Sequence, residues 1–401
     1  MSRSRSVFRF AKKKFLECQC KLKRTVKNVS KTSNIVLDEP ILEEIFKKLD
    51  IKDRVMFRNL SPHIHDLIDR LPLILPFVFI RSDSRGNIEL QCDHMDVLLV
   101  SRITGIAHLW LDSTWNGYIV QTIVEYYQAI NHDNKRKRFH MERLTIIGSI
   151  RFSDIDWISS LILLSRRTLS HLRFRHCRVH SQQQTIQLWT AVSQCQSLTA
   201  LQYEPCRLDK WSRTHLVEAL SNKRLKSLIL TGIDGLEPDD LFRMTNESRL
   251  EELAVVGELI KPSIFDRKEA GTMLETVNSL LIQVDSSFSI HDVSEREAIL
   301  RMMSSLPISG VLEVIHVSRG TVTDTTKVIN YWIQLARDSS REVKLKLEEC
   351  SQERADAAVG RLLRKVRGIG RGEWTKGGVS MQMGDGRLTV LDKRTWFGDD
   401  Q

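Results

Sequence analysis

An apolar triplet at relative places one, four and six recurs six times between residues 141 and 282. It reads Met141, Leu144, Ile146; Leu169, Leu172, Phe174; Leu198, Leu201, Tyr203; Leu225, Leu228, Leu230; Leu250, Leu253, Val255; and Val277, Leu280, Ile282. The starting places are separated by 28, 29, 27, 25 and 27 residues. Looser copies begin at Ile106 and Leu312, and Val343, Leu345 and Leu347 make a ninth candidate. In a short strand, alternate side chains share one face. The fourth and sixth places of each triplet therefore turn the same way. A unit this small cannot bury its apolar edge alone, so the near-constant period requires neighbours to stack over one continuous core.

Two frames extend further, to Cys177-x-Val179 and Cys206-x-Leu208. The pattern L-x-x-L-x-L-x-x-N/C-x-L resembles the leucine-rich repeat in its cysteine-bearing form. Between the strands, helical apolar spacing is found at 118–130, 186–192, 211–220, 239–244, 295–303 and 327–335. Alternation of strand and helix predicts an α/β solenoid, open at its ends, with a parallel sheet on the concave side and helices on the convex side. A helix over 352–366 and a hairpin over 379–391 are expected to cap it.

A second informative stretch is VLDEPILEEIFKKLDIKDRVMFRNLSPHIHDLIDR, residues 36–70. Ile41, Leu42, Ile45, Phe46 and Leu49 have helical spacing, with Pro40 suited to a first turn. A short helix follows Asp53, and Ser61-Pro62 opens a third. The stretch resembles the F-box, whose pattern Leu37, Ile41, Leu42, Ile45, Phe46, Leu49 and Asp53 follow in order. Leu60, Ser61 and Ile64 take the family's Val, Cys and Trp places; Asp38 and Pro40 replace its proline and glutamate. The resemblance implies that Leu37, Ile41, Leu42, Ile45, Phe46, Leu49, Asp53, Leu60 and Ile64 bind a Skp-type adaptor and, through it, a cullin scaffold. Helices ahead of repeats match the F-box leucine-rich-repeat class.

The expected organisation is a basic disordered arm at 1–33, F-box-like helices at 34–72, and a linker with a hairpin at 73–103. The repeat solenoid follows at 104–348, then the cap at 349–401. The formal net charge of +10 is confined to the arm, which holds eleven Lys/Arg and one acid, Glu17. The remaining chain carries 49 basic and 49 acidic residues. Seven scattered cysteines suit a reducing compartment, and no secretory signal or membrane span is evident. Cytoplasm, nucleus or both are therefore expected, with no membrane partner.

No phosphate loop, HExxH, GxSxG or paired CxxC is present. His171, His176, Cys177 and His180 cluster, but Arg173, Arg175 and Arg178 are interleaved and would repel a cation. No cofactor, metal or catalytic residue is expected. If the triplets face inward, the residues between them line the concave sheet. Trp110, Arg143, His171, Arg173, Arg175 and Gln202 are then the candidate substrate-binding residues, since Trp and Arg are favoured at binding hot spots. The chain is expected to recruit an acidic or phosphorylated protein target to a ubiquitin ligase. The alternatives are a scaffold without a ligase link, or a nucleic-acid binder led by the arm.

Overall fold

The computed structural model describes residues 39–48, 62–71, 73–82, 88–92, 103–112, 117–133, 139–148, 154–177, 182–205, 210–232, 236–257, 265, 268–284, 292–318, 320–365, 373–375, 378–383 and 385–391. They fall into two compact units, divided between Leu71 and Pro72.

The first unit holds α1 (Glu39–Lys48) and α2 (Pro62–Arg70). Pro62 opens α2 because its fixed φ fits the first turn, where no backbone donor is needed. Phe46, Leu67 and Leu71 form the buried cluster, with Leu42, Ile64 and Ile68 packed against it. An Arg70–Glu39 ion pair of 3.0 Å lies on the surface. Such an exposed pair contributes at most about 1 kcal/mol, so the apolar cluster holds the helices together. The middle helix expected after Asp53 lies outside the described residues.

In the second unit, β1 (Leu73–Ser82) and β2 (Ile88–Cys92) form an antiparallel hairpin. Strand and helix then alternate: β3 (Ile103–Leu111), α3 (Gly117–Asp133), β4 (Arg143–Ile147), α4 (Ile155–Leu164), β5 (His171–Cys177), α5 (Gln182–Ser193), β6 (Ala200–Pro205) and α6 (Lys210–Leu220). The series continues through β7 (Ser227–Thr231), α7 (Pro238–Thr245), β8 (Glu252–Val256), α8 (Lys268–Leu274), β9 (Ser279–Val284), α9 (Val293–Ser305) and β10 (Val311–Val317). It ends with α10 (Val322–Ser339), β11 (Glu342–Glu348), α11 (Gln352–Lys365), β12 (Glu373–Thr375), β13 (Gly378–Met383) and β14 (Gly386–Leu391).

All fourteen described strands join one sheet, in the order β12-β13-β14-β11-β10-β9-β8-β7-β6-β5-β4-β3-β1-β2. Pairing is parallel from β1 through β3–β11 to β14 and antiparallel only at the two ends. The triplets are in register. Leu144, Leu172, Leu201, Leu228, Leu253 and Leu280 are successive Cα partners, as are Ile146, Phe174, Tyr203, Leu230, Val255 and Ile282. Every member of both rows is buried. Each Leu contributes on the order of 1.5–3 kcal/mol on leaving water. Each helix from α3 to α11 packs against the next, which covers this face of the sheet.

Two boundaries require correction. The linker and hairpin expected at 73–103 hold the β1–β2 hairpin, and β1 also pairs in parallel with β3. The expected cap at 349–401 supplies β14, which pairs in parallel with β11. The repeat register therefore extends past both ends of 104–348. Helices α4 and α8 were not anticipated. The segment IDWISSLILL has too little polar face to show amphipathic spacing, and α8 has only two turns. Among the described residues no helix is long and apolar enough to cross a membrane.

Side chains reach between repeats to satisfy backbone groups. The template cysteine Cys177 is buried and donates its thiol to the Ile146 carbonyl of the preceding strand, at 3.4 Å. Lys223 is buried behind α5 and donates to the carbonyls of Ser193, at 2.5 Å, and Cys195, at 2.6 Å. A cation suits a helix C-terminus, where carbonyls lack intrahelical donors. Burial drives the Lys223 ammonium below its ordinary pKa and drives the Cys195 thiol up to about 11. Lys223→Met keeps the stem and leaves both carbonyls without this donor. A loss of about 1–3 kcal/mol is expected from orphaning buried acceptors, seen as a lower urea midpoint by circular dichroism. An unchanged midpoint would mean that the carbonyls find water instead.

Candidate protein-interaction surfaces

In the helical unit, the residues expected to bind the adaptor divide by burial. Phe46 is 3% exposed and sits in the core with Leu67, while Leu42 and Ile64 are half-buried against it. These side chains hold the helices together. Ile45, one place along α1, is 44% exposed, so an apolar side chain faces water where the sequence predicts contact. Ile41 lies in α1. Leu37, Leu49, Asp53 and Leu60 lie outside the described residues.

In the repeat unit, the residues between the triplets stand on the sheet face away from the helices. Strand alternation gives β7, and β5 from His171 to Arg175, buried residues at every second place, with half-buried or exposed residues between. Register fixes two rows across the strands. Phe77, His108, Arg143, His171, Ala200, Ser227 and Glu252 form the first; Phe79, Trp110, Thr145, Arg173, Gln202, Ile229 and Ala254 form the second. A depression of about 540 Å³ runs along them from Phe77 to Glu252. It gathers Trp110, Arg143, His171, Arg173 and Gln202, five of the six predicted residues.

The sixth, Arg175, is a correction. It does not line the depression. Its Nε donates to Glu204 Oε2 at 3.1 Å, and Gln202 Nε2 donates to the other carboxylate oxygen. Arg175 and Glu204 occupy the same repeat place on adjacent strands, so their charges cancel. Phe77 and His108 also line the depression. Phe77 lies on β1, whose parallel pairing the sequence did not reveal.

One end of the depression is aromatic. The Phe77 ring meets His108 edge-on at 5.2 Å and Trp110 at 6.4 Å, while His108 and Trp110 are 5.9 Å apart. His108 Nε2 and Thr145 Oγ1 are hydrogen-bonded at 3.1 Å, which fixes the imidazole. The next strands are basic, with Arg143 exposed and Arg173 half-buried. Burial, then Arg143, His171 and Arg173, hold the His108 pKa below the ordinary histidine value. Burial and Arg143 lower His171 likewise, against an opposing pull from Glu142. The far rim carries Glu252, which accepts from Ser227 Oγ at 2.6 Å. Farther along the same face, Glu313 lies 3.2 Å from both Lys344 and Lys346. Burial alone would raise its pKa, but the two ammoniums outweigh burial and hold it low.

Among the described residues no group of three or more His, Cys, Asp or Glu could hold a metal ion. Cys177, Cys195 and Cys350 are buried thiols. Residues 36–75 match the F-box domain. No curated protein matches the chain. F-box proteins are generally non-catalytic and bind Skp-type adaptors. The match covers the helical unit and the start of β1, and the in-register α/β repeats follow it. The chain carries an F-box domain at residues 36–75, followed by a mostly parallel α/β sheet consistent with a leucine-rich-repeat solenoid.

Proposed function

We propose that this protein is the substrate-recognition subunit of a Skp–cullin–F-box ubiquitin ligase. The F-box helices hold the adaptor and, through it, the cullin. The open sheet face holds an acidic protein target in the depression lined by Trp110, Arg143, His171, Arg173 and Gln202. The subunit performs no chemistry itself and works in the cytoplasm or nucleus. The observation that carries this reading is the F-box match at 36–75 ahead of a sheet face bearing a basic, aromatic depression.

Co-expression of the full chain with a Skp-type adaptor tests it. The two should co-purify. Ile45→Glu should reduce retention roughly tenfold to a hundredfold, since an isoleucine buried in an interface contributes on the order of 1.5–3 kcal/mol. Its circular dichroism should match that of the native chain, because Ile45 lies outside the core. Phe46→Ala would instead loosen the helices themselves. No retention of the native chain at micromolar concentration would remove the ligase reading and favour a scaffold without a ligase link.

A further inference from the structure

We propose that the row His108, Arg143, His171 is a proton-sensitive switch built into the first repeats. Near neutral pH it holds one positive charge between two neutral imidazoles. Mild acid turns it into three adjacent positive charges, which loosen these repeats unless an anion fills the depression. The anion part of this inference rests on reading the open face as the target-binding surface; the stability part does not.

His108, Arg143 and His171 are successive Cα partners across β3, β4 and β5, so they stand side by side on one face, about 4.8 Å from strand to strand. Arg173 is two places along β5 on the same face. Among the described residues that line the depression the acid is Glu252. It lies on β8, four strand spacings or about 19 Å from Arg143, well beyond the screening length of about 8 Å. The remaining charges nearby are engaged. Arg81 of β1 pairs with Asp112 at 3.6 Å, and Glu204 of β6 pairs with Arg175 at 3.1 Å. Glu142, at the entry of β4, is bonded to His140 at 2.9 Å and pulls only against the lowering of His171. Protonation of the two imidazoles therefore adds charge where no carboxylate cancels it.

The rings are also held in place. His108 Nε2 is bonded to Thr145 Oγ1 at 3.1 Å, and His171 Nδ1 to Ser170 Oγ at 2.8 Å. A hydroxyl can donate to an imidazole or accept from an imidazolium, so both bonds survive protonation. On the β1 side the Phe77 ring stands 5.2 Å from His108 and blocks its retreat from Arg143. His171 is exposed and His108 half-buried, so water reaches both. Burial, Arg143, His171 and Arg173 lower the His108 pKa, and burial and Arg143 lower that of His171. Between the ordinary histidine value of 6.5 and the lowered folded values, the unfolded chain binds more protons than the folded one. The stability contributed by the neutral rings is therefore complete above that ordinary value and is lost as pH falls through the window. A bound anion reverses the preference, so its binding takes up protons and strengthens in acid.

The test compares the full chain with a His108→Gln, His171→Asn double variant, whose amides can keep the Thr145 and Ser170 bonds but cannot take up a proton. Urea unfolding is followed by circular dichroism from about pH 8 to about pH 5.5, the range in which histidine charges. The native midpoint should fall further than that of the variant. Hexaglutamate, still ionised at the acid end, is the anionic probe. It should bind the native chain about tenfold more tightly in acid, the effect of one proton taken up over one pH unit, and the variant should lose this gain. Parallel midpoints, or a hexaglutamate affinity with the same pH dependence in both proteins, would overturn the inference. If the double variant does not fold, imidazole NMR of the native chain decides, with the signals assigned by His108→Gln and His171→Asn singly. Titration of both rings at or above the ordinary histidine range would overturn it. Midpoints that separate while hexaglutamate binds at no pH uphold the switch and defeat only the reading of this face as a site for acidic targets.

Discussion

Trp189→Ala is expected to lower the stability of the repeat unit by about 3–5 kcal/mol, the usual cost of deleting a large buried aromatic side chain. Trp189 is 2% exposed on α5. Its ring meets Tyr203 of β6 edge-on at 5.1 Å and Phe174 of β5 at 6.2 Å. It therefore joins two strands and a helix through one side chain, and its loss opens a cavity between successive repeats. Each repeat leans mainly on its neighbours, so coupling across that junction weakens more than the repeats themselves. Urea unfolding followed by circular dichroism should show a lower midpoint and a broader transition, as the two halves separate. Ile186→Ala is the comparison. Ile186 lies on the same helix but is 39% exposed, and its truncation should stay within about 0.5 kcal/mol of the native value. Equal shifts for the two variants would show that Trp189 does not tie the repeats together.

The repeat register was legible in the sequence because burial selects the same residue type at the same place in every unit. The ninth copy at Val343, Leu345 and Leu347 also pairs in register with β10. The ends were harder to read. Strand β1 is a near-continuous apolar run containing Pro76, and local signals gave only its hairpin with β2. Its parallel partner β3 begins more than twenty residues later, beyond the reach of local pattern. Pro76 is tolerated because β2 pairs only with Val78–Ser82. Strand β14 carried a hairpin signal of the same kind, and its parallel pairing with β11 depends on α11 as the crossover.

The candidate site was legible as a face but not in its ion pairing. Alternation placed Arg173 and Arg175 together, yet only the register sets Glu204 opposite Arg175. That neutralisation was recoverable in principle, since the two residues stand 29 places apart at equivalent repeat positions. In α1, apolar spacing named both Ile45 and Phe46. Which of them faces the core depends on α2, whose Leu67 packs with Phe46.

Gly386→Ala is expected to be strongly damaging in the C-terminal part of the sheet. A Cβ there would lie 2.1 Å from the Ala336 carbonyl oxygen, 2.6 Å from its carbon and 3.0 Å from the Arg337 nitrogen. These are backbone atoms of α10, held by the helix's own hydrogen bonds, so β14 must shift instead. Overpacking of this kind costs about 1–3 kcal/mol, and rigid backbone on one side places the value at the upper end. The shift would strain the Arg387 N–H bond to the Arg341 carbonyl, 3.1 Å, and the Arg387 Nε bond to Ser380 Oγ, 2.6 Å. Hydrogen exchange should show β13 and β14 losing protection while β5 and β6 keep theirs, because the damage passes only between neighbours. Gly360→Ala provides the opposite sign. Gly360 lies within α11 with nothing within 4 Å of its added Cβ, so alanine should stabilise that helix by about 0.5–1 kcal/mol. If both substitutions move stability the same way, close packing of β14 against α10 does not govern this end of the sheet.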